Sequence, residues 1–181
     1  MALENVAELA RVLARRERLG KVFARHAYGM RAWVDLFSAR IAVVADPATK
    51  TLIATLVADN ARHMMLFRAR AAAHGVDPDA YLCPVEGEAI YQRITELQSL
   101  EELLGYALGS LDHFDQLLSV YRRAARGEDA AVIDEVRADV ARMRDALRPH
   151  QGPAAARLAA EAHERYRVRE LVETPRYAHA G

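Results

Sequence analysis

Apolar positions along this chain recur at helical spacing, in four long stretches and one shorter one, with turn residues between them. In the first stretch Phe23, Ala27, Met30, Val34, Phe37, Ile41 and Val44 alternate steps of four and three, which places them on one face of a helix expected from about Leu3 to Ala45. Gly20 and Gly29 are its expected bending points. Asp46-Pro47 supplies an N-cap followed by proline at the first helical position, so a second helix begins almost at once and pairs antiparallel with the first. Its seam is Leu52, Leu56, Asn60, His63, Phe67 and Arg70, and Gly75 followed by Asp77-Pro78 ends it near His74. Two central positions of that seam are polar.

Residues 76 to 98 form a connection far longer than a hairpin needs, with a short helix expected around Glu88 to Ile94. Ser99-Leu-Glu-Glu102 reads as a capping box, after which Leu100, Leu104, Leu108, Leu111 and Leu118 carry a third helix to about Arg126, with Asp115 on the same stripe. Gly127-Glu-Asp129 is a tight break, and Val132, Ile133, Val136, Val140, Met143 and Leu147 make a fourth helix that stops before Pro149. Beyond Gly152-Pro153 a fifth helix, about Ala154 to Glu173, carries Leu158, Ala162, Tyr166, Val168 and Val172 on a thinner stripe. That stripe suits covering one end of the bundle or a neighbouring subunit. The pattern predicts an all-α chain with a single domain over 1–181, a four-helix bundle over 3–147 and an additional C-terminal helix over 153–174.

Composition agrees with this. At 181 residues, 52% of them apolar and only six proline, the chain can bury one core and no second full domain. Its 25 basic residues balance 25 acidic ones, so no global field draws it to nucleic acid or an anionic membrane. The most basic stretch, Arg15-Arg-Glu-Arg18 with Lys21, reads as a solvated helix face. No apolar run approaches the ~20 residues of a membrane span, and Met1-Ala-Leu-Glu-Asn has no apolar signal core, so a cytoplasmic location is expected. Cys83 is the only cysteine, which excludes an intramolecular disulfide and a thiolate metal cluster. No phosphate loop, nucleophile elbow or dinucleotide fingerprint is present.

The candidate chemistry lies where polar residues interrupt the core. A buried imidazole and a buried amide need hydrogen-bond partners, since each costs roughly 1–3 kcal/mol unsatisfied. Something is therefore expected to face Asn60 and His63: His26 on the first helix, Asp112 or Asp115 on the third, or Asp139 on the fourth. His113 adjoins Asp112, but helix neighbours point about 100° apart and do not form a ready catalytic pair. His163, between Glu161 and Glu164, is expected to be exposed.

Short, long and short connections, together with Asn60-Ala-Arg-His63 on the second helix and Asp139-Val-Ala-Arg142 on the fourth, resemble the ferritin-like family over about residues 10 to 147. The family places a Glu-x-x-His motif at such positions. The resemblance implies iron or manganese between the helices, ferroxidase, peroxide-removing or oxygen-activating chemistry, and oligomers, with a homodimer as the expected state. The sequence departs from the family where Asn60 replaces a carboxylate, Arg142 replaces a histidine and His26 stands where a glutamate is expected.

Three readings of the polar positions follow. One is a single Fe, Mn or Zn ion held by His26, His63 and Asp115. Another is a satisfied network of Asn60, His63 and a nearby aspartate, drawn from Asp112, Asp115 and Asp139, that fixes helix register. The last is a metal-free pocket for a small organic ligand, lined by residues such as Tyr28, Met30, Trp33, Met64, Met65 and Tyr121. The function expected first is a ferritin-like bundle with a reduced or lost metal centre, acting as a binding or assembly protein. The alternative is a non-haem iron or manganese oxidase or oxygenase using a single His/His/Asp site.

Overall fold

The structure, a computed structural model, describes residues 13, 15–82, 92, 94–150, 152–165 and 176–177. Five helices account for most of them: α1 (Arg16–Ile41), α2 (Pro47–Ala73), α3 (Leu100–Ala124), α4 (Gly127–Leu147) and α5 (Pro153–Arg165). No helix among the described residues is long and apolar enough to cross a membrane. A two-residue antiparallel pairing also joins β1 (Tyr81–Leu82) to β2 (Arg176–Tyr177). The expected start of the first helix at Leu3, the helix around Glu88, Cys83, the side chain of His163 and the end of the fifth helix lie outside the described residues.

Local signals set the helix ends. The Asp46 carboxylate accepts from the Thr49 backbone N–H at 2.7 Å, with Pro47 at the first helical position. Ser99 and Glu102 form both halves of the capping box at the start of α3. Gly75, at φ +75°, turns the chain out of α2 while the Gly75 and Val76 N–H groups donate to the Ala72 and Ala71 carbonyls.

Packing places α1 antiparallel to α2, with Phe23 against Phe67 at one end (centroids 5.2 Å apart) and Phe37 clustered with Ile53 at the other. α3 and α4 are likewise antiparallel, since Arg122 pairs with Asp134 at 2.8 Å while Asp115, earlier on α3, meets Arg137, later on α4. α2 and α4 meet along a ladder of ion pairs. α1 and α3 meet through aromatic rings, with His26 4.9 Å from Phe114 and 5.4 Å from Tyr121.

The fifth helix uses its face within the chain. A Cβ on Gly105 would lie 2.5 Å from Ala155 Cα, and one on Gly109 would strike the Ala159 backbone. Glycines four apart on α3 thus meet alanines four apart on α5, and the two backbones lie closer than any larger residue permits. Gly20 and Gly29 both sit inside the uninterrupted α1. What Gly20 provides is room for His74 and Val76, whose side chains would be 2.6 and 2.9 Å from an added Cβ.

The core is divided. One apolar cluster contains Phe23, Ala27, Met30, Phe67, Leu117 and Val136; the other contains Leu36, Phe37, Ile53, Leu56, Leu104 and Met143. Between them, midway along α2 and α3, lie the buried polar residues Asn60, His63, Ser110 and His113.

Candidate functional site

The sequence reason for that polar level is simple. Asn60 and His63 occupy seam positions of α2, and Ser110 and His113 repeat the same three-residue step on α3, so each pair shares one helix face. A cavity of about 150 Å³ opens at this level, between the two apolar clusters. Its wall is mainly apolar, with Met30, Leu36, Phe37, Leu111, Leu117 and Met143 around the polar groups. Arg25, Tyr28, Gly29 and Trp33 make the α1 side and are half-buried, so the cavity approaches solvent there.

Two of the polar side chains are satisfied within their own helix. Asn60 Nδ2 donates to the Leu56 carbonyl at 2.8 Å, and Ser110 Oγ donates to the Tyr106 carbonyl at 2.9 Å. Asn60 therefore does not need the facing partner that burial alone demanded.

His63 does have one. Its Nε2 lies 2.9 Å from Asp139 Oδ2, and Asp139 also accepts from Arg62 and from Arg142, the latter at 2.5 Å. Arg142 reaches on to Asp59 at 2.9 Å, a buried carboxylate of α2. Burial pulls the His63 imidazole below its ordinary value, with Asp139 acting in the opposite sense. Burial raises the Asp139 carboxyl, but hydrogen bonds from His63, Arg142 and Arg62 outweigh it and leave that group below the usual range.

His26 approaches the cavity from α1. Its Nε2 is 3.0 Å from the Tyr121 hydroxyl, and Phe67, Phe114 and Tyr121 surround the ring. Burial, followed by the charges of Arg25 and His113, holds its pKa well below the ordinary histidine value. Burial also pushes the Tyr121 phenol well above its usual range.

Of the six site residues expected from sequence, His26, Asn60 and His63 come together on the cavity wall, and Asp139 stands behind His63. Asp112 and Asp115 do not join them. Asp115 accepts from Arg137 at 3.1 Å and pairs with Arg144, which also holds Asp112, so the acidic stripe of α3 faces α4 rather than the centre. Among the described residues no group of three or more His, Cys, Asp or Glu is placed to hold a metal ion. The residues present also fit a di-metal centre poorly, because the Arg142 guanidinium lies against the carboxylates of Asp59 and Asp139 that a cation would need.

Of the lining expected from sequence, Tyr28, Met30 and Trp33 reach the cavity. Met65 is exposed, Met64 packs on the first apolar cluster and Tyr121 lies behind His26. Sequence reasoning missed Arg25, Gly29 and Ser110 on the wall and Asp59 in the network. Gly29 did carry a signal, a glycine in the middle of a helix.

Neither a family model, nor a curated protein, nor a solved structure matches the chain.

Proposed function

We propose that this chain is a ferritin-like four-helix bundle in which the centre where that family holds metal serves as a binding cavity for a small, largely apolar organic molecule. The cavity at the polar level carries this reading. At about 150 Å³ it is the size that accepts a benzene-sized guest in a protein core. An apolar wall with a few convergent polar groups is the usual composition of a small-molecule site. The order of connections, and the juxtaposition of α1 with α3 and of α2 with α4, support the family part of the proposal.

Gly29 adds an independent argument. In a helix interior glycine costs about 0.5–1 kcal/mol relative to alanine. A Cβ at Gly29 would meet nothing within 4 Å, so no close approach of another element requires glycine there. Stability is forgone at a position whose one evident effect is to leave the cavity open.

The test is binding of benzene, toluene, phenol and indole, together with small aromatic and aliphatic carboxylic acids and their amides, read by thermal shift and calorimetry, in the wild type and in Gly29→Leu. A ligand at about 100 times its Kd stabilises the native state by about 2.7 kcal/mol. The expected result is stabilisation of the wild type by at least one of these, lost in a folded Gly29→Leu. No stabilisation by any member, or undiminished binding in Gly29→Leu, overturns the proposal.

A further inference from the structure

The cavity wall has a charge asymmetry that a purely apolar guest does not use. Among the described residues it contains the Arg25 guanidinium, three imidazoles (His26, His63 and His113) and no carboxylate. The aspartates nearest this level are committed elsewhere. Asp139 and Asp59 receive His63, Arg62 and Arg142 on the α2–α4 side, and Asp112 and Asp115 hold Arg144 and Arg137. Arg25 itself is half-buried and makes no hydrogen bond or ion pair among the described residues, unlike Arg62, Arg70, Arg122, Arg142 and Arg144.

A guanidinium presents five N–H donors in a planar fork matched to a carboxylate. Half-buried and without a protein acceptor among the described residues, it keeps its N–H donors open to the solvent side of the cavity, and an anion arriving at the wall gains charge-assisted hydrogen bonds there. Its field reaches into the site, since it contributes to the lowered His26 pKa. On the same α1 side, two turns further along the helix, Trp33, stacked on Phe37 with centroids 5.2 Å apart, offers a flat apolar surface.

We infer that the ligand of this cavity is a small monocarboxylate with an aromatic or short aliphatic body, its carboxylate held by Arg25 at the α1 side and its body lodged between the two apolar clusters. This rests on the cavity-binding proposal above and specifies its ligand class. The size of the space limits the body to about a single ring or a comparable chain.

Calorimetry with the full chain tests it, using benzoate, phenylacetate and hexanoate, their primary amides as neutral isosteres, and toluene. At least one acid is expected to bind about tenfold or more tightly than its amide, the margin a charge-assisted hydrogen bond supplies. Arg25→Met, which keeps the apolar stem, is expected to abolish that margin by weakening the acid far more than the amide, while Arg25→Lys keeps part of it. An amide or toluene binding as tightly as the acids, or acids unaffected by Arg25→Met, overturns the carboxylate inference and leaves the cavity proposal standing. If no acid, amide or hydrocarbon binds, the cavity proposal falls with it.

Discussion

His63 on α2 and Asp139 on α4 face each other at 2.9 Å, and this pair joins the cavity wall to the ion-pair ladder behind it. His63 is 2% exposed and Asp139 15%, whereas Arg62 and Arg142, which also hold Asp139, are 42% and 51% exposed. Exposed ion pairs contribute about 0–1 kcal/mol each, while an orphaned buried imidazole costs about 1–3 kcal/mol. Asp139→Ala is therefore expected to cost about 2–3 kcal/mol in urea unfolding, mostly through His63. The double variant with His63→Ala should recover about 1 kcal/mol relative to additivity. Strict additivity would show that the contact carries no energy.

The same groups set a pH dependence. His26 and His63 both have folded pKa values below those of an unfolded histidine, so over that interval the native state binds fewer protons than the unfolded chain. Their contribution is complete above about pH 6.5 and is lost as pH falls from there through the folded values. Asp139, also depressed, adds stability above about pH 4 that disappears on further acidification. Thermal unfolding from about pH 8 to 4 should show stability declining through the histidine range first. His26→Gln should flatten that slope, and an unchanged slope would remove His26 as its source.

Helical glycines should respond with opposite signs. At Gly105 a methyl group would lie 2.5 Å from Ala155 Cα, so Gly105→Ala must push α5 away. The overpacking cost of about 1–3 kcal/mol then exceeds the propensity gain of about 1 kcal/mol. Gly29→Ala meets nothing and should stabilise the protein by about 0.5–1 kcal/mol. Denaturant midpoints of the two variants check both signs, and a stabilised Gly105→Ala would contradict the α3–α5 packing.

Trp33 is the only tryptophan and lines the cavity. A guest there should change its emission in proportion to occupancy. Titration followed by fluorescence should give the calorimetric Kd, and an invariant spectrum during calorimetric saturation would place the ligand elsewhere.

Ser99→Ala tests the most local feature. Loss of the capping box at α3 is expected to cost about 1 kcal/mol. Ligand affinity should not change, because Ser99 is remote from the cavity wall.

These contrasts separate what was legible in the chain from what was not. Asp46-Pro47, Gly75, Ser99-Leu-Glu-Glu102 and Gly127 each act within one turn of backbone, so the short, long and short order of connections follows from residues read in succession. The polar interruption at Asn60 and His63 was equally readable, because a seam position declares itself by period alone. Partner choice was not readable in that way. Asp112 and Asp115 share the apolar stripe of α3 as His113 neighbours it, yet a rotation of part of a turn sends the aspartates to the arginines of α4 and the imidazole to the cavity. Asn60 looked as though it needed a facing group and found its acceptor one turn back, at the Leu56 carbonyl.

By itself, then, the sequence determined the helices, their ends and the level at which polar residues enter the core, since these depend on neighbours within about four positions. Only the tertiary structure decided that this level holds a cavity, that Arg25 stands on its wall without a carboxylate and that Gly105 and Gly109 receive α5. Empty space and unmatched charge belong to no single helix. They arise from how side chains of four helices fail to fill or neutralise the region between them, and no periodicity along one chain segment records that.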